Sequence, residues 1–270
     1  MAMYISNLKK IIETKKATSV SFSVIGVPSY LTDSKRTAYL DAMEIAGFNR
    51  SNVHLMHEGS AIALEYVYNR RMMTGVVVFV DVGDCDTQVT VVRFYNMKLQ
   101  VLRHESDRNL GGRDFDMVLF DYFADLFPNL HKGDYSMEMR SRLMMECEKA
   151  KIALSSNTEA SISIESFMDE SDFAEVITRE KFQLLSSPLL CRITSTCEKA
   201  LTGLDLDMTD VHSIELVGLG SQIPAISDHL SIFFKKNPLR TLKAKECVAH
   251  GCSMRSYHIK KNANNQIPGQ

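Results

Sequence analysis

The sequence predicts an α/β fold, and three observations point to it. Residues 1–74 alternate strand-like and helix-like stretches. Two apolar runs, "VVVFVDVGD" and "IELVGLG", break into Asp and Gly where strands meet turns. Segments with apolar residues three and four apart lie between them. With 45% apolar and 24% charged residues among 270, the chain has the composition of a globular protein and the length of one large domain or two modest ones.

The elements follow in order. Met3, Ile5, Leu8, Ile11 and Ile12 are spaced for one face of an opening helix. "SVSFSVIGV", Ser19 to Val27, alternates and then turns wholly apolar, as a strand entering a covered sheet does, and Pro28 stops it. Thr32 or Asp33 can cap the next helix, whose inner face is read as Ala38, Ala42, Ile45 and Ala46, with Gly47 as its stop. "VHLMHEGSAIALEY" is a short strand, a turn at His57, Glu58 and Gly59, and a small-residue helix. Val76–Val82, Gln88–Phe94 and Lys98–Arg103 read as antiparallel strands, the last two joined at Tyr95, Asn96 and Met97. Phe115, Val118, Leu119, Tyr122, Phe123 and Leu126 line one face of a long helix, and a second helix spans Met137 to Leu154. Strands at Ser161–Ser166 and Phe173–Ile177 flank an acidic turn, Asp169 to Asp172. One helix is expected from Arg179 to Leu201, then the strand "IELVGLG", then helices at Pro224–Phe234 and Glu246–His258. The polar residues 260–270 are expected to be disordered.

A net charge of -2 without long basic runs argues against nucleic acid and anionic membrane as partners. No segment reaches the ~20 apolar residues that a membrane-spanning helix needs. Cys85, Cys147, Cys191, Cys197, Cys247 and Cys252 form neither a C-x-x-C pair nor a zinc-spaced cluster, so they read as small buried hydrophobes in a reducing compartment, the cytoplasm and possible nuclear sites included.

Four motifs carry chemistry, each beside a plainer reading. "DVGDCD" opens like a phosphate loop at Asp81 and Gly83, yet Asp84 and Asp86 bring negative charge towards an anion; taken alone, a plain strand-end turn is the reading that the residues favour. In "CEKAKIALSS", Glu148, Lys151 and Ser155 share a helix face and could hydrogen-bond a ribose, or form a solvated face with a Glu–Lys pair. "ELVGLGSQIP" could lay a flat ligand against Gly218 and Gly220, or be a tight strand-to-helix connection. "LGGRDFD" pairs Gly111 and Gly112 before a helix, as a hinge would. Glu58 beside His57 is a candidate general base or a solvated turn; His54, His212 and His250 read as structural. No G-x-S-x-G, H-E-x-x-H or Walker A motif occurs.

Taken in order, "VIGVPSYLTDSKRTAYLDAMEIAGF", "HEGSAIALEY", "FVDVGDCDTQV", "LGGRDFD", "CEKAKIALSSNTEASISIESFMDE" and "IELVGLGSQIPAIS" resemble the nucleotide-binding domain of the 70-kDa heat-shock chaperone family. "SISIESFMDE" and "GDCDTQ" are similar to the divergent 110-kDa class with its plant members. The resemblance implies an actin-like ATPase-domain fold with a ribonuclease H-like motif, lobe II complete and lobe I shortened at the N-terminus. Residues 1–74 would be lobe I, 75–113 and 190–259 the base of lobe II, and 114–189 its outer subdomain. It implies ATP or ADP as ligand with Mg, and nucleotide contacts at Gly83, Gly112, Glu148, Lys151, Ser155, Gly218, Gly220 and Ser221. It further implies Asp81 as a metal partner through water and Glu58 as a catalytic remnant.

Departures from that pattern weaken the phosphate end. Asp84, Cys85 and Asp86 replace glycines and a threonine, and Gln88 replaces an aspartate. Leu219 and Gly220 stand where Gly and a hydroxyl residue are usual, Gln222 replaces an arginine, and Lys245 an acidic residue. The family's first phosphate loop and hydrolytic lysine would precede Met1. The expectation is weak adenosine-end affinity, no efficient hydrolysis, and a co-chaperone or nucleotide-exchange role towards 70-kDa chaperones, with unfolded polypeptides as clients of the full-length class. A nucleotide-independent interaction module or a non-functional truncated isoform is the alternative, an ATP-hydrolysing chaperone the second. The strand at Ser19–Val27 is expected to expose an edge and an apolar face.

Overall fold

The computed structural model describes residues 1–70, 74–96, 98–126, 136–168 and 171–265. Helix α1 (Ala2–Lys16) is followed by a parallel pair, β1 (Ser23–Val27) and β2 (Val53–His57), joined through α2 (Asp33–Ile45). Helix α3 (Glu58–Arg70) starts directly where β2 ends, so the expected turn at His57–Gly59 is absent and Glu58 opens the helix.

The central sheet has the order β5-β4-β3-β8. Its strands β3 (Thr74–Val82), β4 (Thr87–Tyr95) and β5 (Lys98–Asp107) form an antiparallel meander, and β8 (Val211–Val217) lies parallel to β3. The unbroken apolar run of β3 has a direct cause: the sheet is covered on both faces. Val76, Val78, Val80 and Val82 point into the larger core. Val77 and Phe79 point the other way, against Ile62, Tyr66 and Val67 of α3. The two faces of β8 differ in chemistry: Ile214 and Leu216 enter the larger core, while Glu215 is wholly buried on the other side and accepts from the backbone N–H and hydroxyl of Thr241.

Between β5 and β8 come α4 (Gly112–Ala124), α5 (Met137–Leu154), the antiparallel hairpin β6 (Glu159–Met168) and β7 (Ser171–Thr178), α6 (Arg179–Leu185) and α7 (Ser187–Leu201). Helices α8 (Pro224–Phe234) and α9 (Cys247–Asn265) close the fold. Among the described residues no helix is long and apolar enough to cross a membrane.

Several expectations are corrected. The helix from Arg179 to Leu201 is two helices, because Pro188 lacks an N–H and sits in the first turn of a new one. In α2 the inward residues are Ala42, Met43 and Ala46; Ala38 is exposed, and Ile45 is 77% exposed. Helix α1 forms, yet Met3, Leu8, Ile11 and Ile12 are exposed, and only Ile5 packs on the small cluster of Met43, Ala46, Phe48 and Val53. The face of β1 is not bare: a Cβ on Gly26 would meet Val248 at 2.5 Å and Cys252 at 3.6 Å, both on α9. Among the described strands β1 pairs with β2 alone. Cys85 and Cys191 are exposed rather than buried. Residues 260–265, expected to be disordered, continue α9; residues 266–270, Met97 of the predicted turn and Asp169–Glu170 of the acidic turn lie outside the described residues.

Candidate functional site: a cleft at the end of the central sheet

Three chain reversals meet where β3 ends. Gly83 closes the turn by donating its N–H to Asp86 O at 2.9 Å. The first N–H groups of α4 then bond back to this turn, Gly112 to Gly83 O at 2.9 Å and Arg113 to Asp84 O at 3.0 Å, while Gly111 donates to Asp114 Oδ2 at 2.7 Å. Close approach demands the glycines here. A Cβ on Gly111 would sit 2.3 Å from Asp84 O, and one on Gly220 would sit 2.7 Å from Gly83 O. Gly218, at φ 78°, would place a Cβ 2.2 Å from Val82 O. The paired glycines of both motifs therefore let three backbones touch, a role that their spacing alone does not reveal.

Beside this junction lies a cleft of about 390 Å³. Gly83, Asp84 and Gly112 form one wall, Glu148, Lys151, Ile152 and Ser155 of α5 a second, and Leu219, Gly220, Gln222, Ile223 and Lys245 the rest. The structure thus gathers Gly83, Gly112, Glu148, Lys151, Ser155 and Gly220 around one space. Gly218 lies beneath it. Ser221 is fully buried and turned inward: its hydroxyl donates to Gly218 O at 2.7 Å and accepts from Arg240 Nη1 at 2.9 Å. Asp84, Ile152 and Ile223 line the cleft without having been candidates for contact; their signal was position, each one or two residues from a predicted contact or its helix face.

The charges on the α5 wall are arranged differently from a solvated Glu–Lys pair. Lys151 Nζ donates to Asp116 Oδ2 at 2.7 Å and to Gly112 O at 3.0 Å, so its partner is α4 rather than Glu148. Burial pushes the Asp116 carboxyl up, against the pull of Lys151. Its other oxygen, Oδ1, is buried without a hydrogen-bond partner. Glu148 is exposed at the rim, and Ser155 Oγ donates to Ile152 O at 2.6 Å while keeping lone pairs to accept. A carboxylate and a hydroxyl on one rim can receive the two hydroxyls of a ribose.

Asp81 and Glu58 do not line the cleft; they belong to a second group with Asp86 and Gln88, and a Cβ on Gly218 would lie 2.4 Å from Asp81 Oδ1. Asp81 keeps some solvent contact, yet the protein packed round its carboxyl, then the charges of Glu58 and Asp86, push its pKa up to about 7. Burial likewise raises Glu58, opposed by its bond to Gln88 and reinforced by Asp86. Gln88, 5% exposed, bridges two elements: Nε2 donates to Glu58 Oε2 at 2.6 Å, and Oε1 accepts from Ser29 N at 3.0 Å. Burial, then the negative charge of the nearby Asp86, lifts the Tyr30 phenol to about 12, and Asp86 Oδ2 is buried without a hydrogen-bond partner. His57 is held by Arg36, Nη2 to Nε2 at 2.9 Å, and burial and then Arg36 depress its pKa. Burial takes the neighbouring His104 down to about 4. Among the described residues no group of three His, Cys, Asp or Glu is placed to hold a metal ion.

Comparison with known proteins identifies the family. The Hsp70 protein family matches residues 1–265. The chain is 46% identical over 261 residues to Heat shock 70 kDa protein 16 of Arabidopsis thaliana, covering 94% of this chain and 34% of that protein. It is 39% identical to the 97 kDa heat shock protein of Strongylocentrotus purpuratus and 36% to Heat shock 70 kDa protein 4 of Homo sapiens, over 94% of this chain and 29% and 31% of theirs. It therefore spans about a third of the length of these relatives. A match over nearly the whole chain, on a sheet whose strand ends form a glycine-lined cleft, makes this chain a member of the Hsp70 chaperone family, with the actin-like ATPase fold of that family's nucleotide-binding domain.

Proposed function

We propose that this domain binds ATP or ADP weakly through the adenosine end, turns it over poorly, and serves as a co-chaperone. One observation carries the reading: Gly83, Gly112, Glu148, Lys151, Ser155 and Gly220 line a single cleft of about 390 Å³, a volume within the range of small-ligand sites. Glu148 and Ser155 would receive the ribose, and the apolar side chains of Ile152, Leu219 and Ile223 would take the base. Bound Mg-nucleotide would bring its own metal charge to the phosphates.

Poor turnover follows from the phosphate side. Phosphoryl transfer needs charge neutralisation and directed N–H groups. Here Asp84 lines the wall, and the N–H groups of Gly112 and Arg113 already donate to carbonyls. A metal seated by Asp81 would have to displace the proton that its raised pKa retains near neutrality.

The partner reading is nucleotide exchange on an ordinary 70-kDa chaperone in the cytoplasm, with access to the nucleus, and unfolded polypeptides as clients of the full-length class. It rests on family membership, and on relatives described as heat-shock proteins.

Calorimetric titration with Mg-ADP and Mg-ATP tests binding. Bound ligand must stabilise the folded state, so no heat and no thermal shift at about millimolar nucleotide would sink it. For the partner, added chain is expected to speed release of a fluorescent nucleotide from an ordinary 70-kDa chaperone; an unchanged rate counts against exchange.

A further inference from the structure

Helix α1 sits on the protein with its apolar side turned outward. Ala2, Ile5, Lys9 and Glu13 are its half-buried residues, spaced so that one stripe faces the body. Ile5 packs on the cluster of Met43, Ala46, Phe48 and Val53, Lys9 stacks on Phe48 at 4.6 Å, and Glu13 Oε1 accepts from Val20 N at 2.9 Å. A largely polar stripe therefore anchors the helix. A second stripe is left over: Met1, Tyr4, Leu8, Ile11 and Lys15 recur at alternating steps of three and four residues. Its apolar members are between 40% and 65% exposed, and Lys15 is exposed beside them.

That spacing is the seam that one helix offers to another. Steps of three and four keep side chains in line along one edge, as the a and d positions of a heptad do. A lipid surface asks for a broad apolar face and no register. The stripe is also its own complement. When two copies of α1 run antiparallel about a two-fold axis between Leu8 and Ile11, Leu8 of each meets Ile11 of the other. Tyr4 of each then meets Lys15 of the other, a ring facing an ammonium.

A seam of two heptads is short, and a specific dimer buries roughly 800 Å² per partner. The strand beside it extends the surface. Ile25 of β1 packs on the same cluster as Ile5, and among the described strands β1 pairs with β2 alone. Both faces of β1 are covered, by that cluster at Ile25 and by Val248 and Cys252 of α9 at Gly26. Its open part is an edge, whose backbone groups a second strand can pair and lipid cannot.

We propose that this face is a docking surface for a second copy of the chain: two molecules join about a two-fold axis, α1 antiparallel to α1, with the edges of β1 alongside.

The test is sedimentation equilibrium of the full chain from about 1 to 100 µM, where a monomer–dimer equilibrium with a micromolar dissociation constant is expected. Ile11→Glu is expected to weaken the dimer by about tenfold or more, while Thr14→Glu, exposed but off the seam, leaves it within about twofold. Tyr4→Lys sets like charges together and is expected to weaken it about as much. Adding Lys15→Glu to that variant is expected to restore dimerisation to within about threefold, since the two positions lie about 16 Å apart along one helix and meet only between copies. Melting temperatures check that each variant is folded. A monomer at about 100 µM overturns the proposal. So does a dimer that Ile11→Glu leaves unchanged, or a double variant that does not recover. A monomeric chain that sediments with vesicles of phosphatidylserine and phosphatidylcholine also overturns it and assigns the stripe to a lipid surface.

Discussion

Gln88 shows how one side chain can decide what a loop does. An amide offers a donor and an acceptor together. Gln88 gives the donor to Glu58 at 2.6 Å and the acceptor to Ser29 N at 3.0 Å. A carboxylate there could serve Ser29 but would face Glu58 across a buried gap. Gln88→Glu is therefore expected to lower stability by about 2–4 kcal/mol at mildly alkaline pH and by less in mild acid, read from urea midpoints. Asp81 gives a pH signature. Its native pKa of about 7 exceeds the ordinary 3.8, so between those values the folded chain holds a proton that the unfolded chain releases. This stability is complete below the unfolded value and is lost as pH rises through about 7. Asp81→Asn should flatten that loss, by on the order of 1 kcal/mol given the solvent contact of the group, in melting temperatures taken from about pH 5 to pH 8. An unchanged slope would refute the assignment. None of these roles is visible locally: Ser29 and Gln88 are 59 residues apart, and Lys151 and Asp116 are 35 apart.

Elements were legible where one chain segment decides its own state. Helix α5 runs from Met137 to Leu154 as its apolar period and the Ser136 cap require, and α8 begins at Pro224 and ends at Phe234 as read. The errors occur where a neighbour decides. Ile45 matched the period of α2, yet the partner surface lies under Met43 and Ala46, so Ile45 faces solvent. For Gly218 the sequence leaves open a surface for a flat ligand or a tight strand-to-helix connection, and its nearest constraint comes from the strand beside it. Gly218→Ala should cost about 3 kcal/mol or more, since it combines positive φ with a contact to Val82 O at 2.2 Å. Gly203, also at positive φ but with open space around it, should cost about 1 kcal/mol as Ala. Equal losses in chemical denaturation would show that the strand contact is unimportant.

At the level of the whole molecule, packing is uneven. The central sheet is covered on both faces by large clusters, whereas α1 rests through Ile5 on the small cluster of Met43, Ala46, Phe48 and Val53. Lys9 adds a bond to Gly47 O and stacks on Phe48 at 4.6 Å, contacts at an exposed site. Hydrogen exchange should therefore show amides of α1 opening at a free energy about 2 kcal/mol or more below those of β3 and β4. Equal protection would contradict this.

Residue order was enough for the fold class, the order of strands and helices apart from the break at Pro188, the family resemblance, and six of the residues that line the cleft. Period, capping and turn chemistry are local, and a run of motifs in fixed order is itself a record of topology. Only the tertiary structure decided that the glycines serve backbone contact, that Lys151 belongs to Asp116, and that Gln88 belongs to Ser29 and Glu58. Those pairings depend on distance and burial across segments far apart in the chain, where the cost of leaving a polar group unpaired selects the partner.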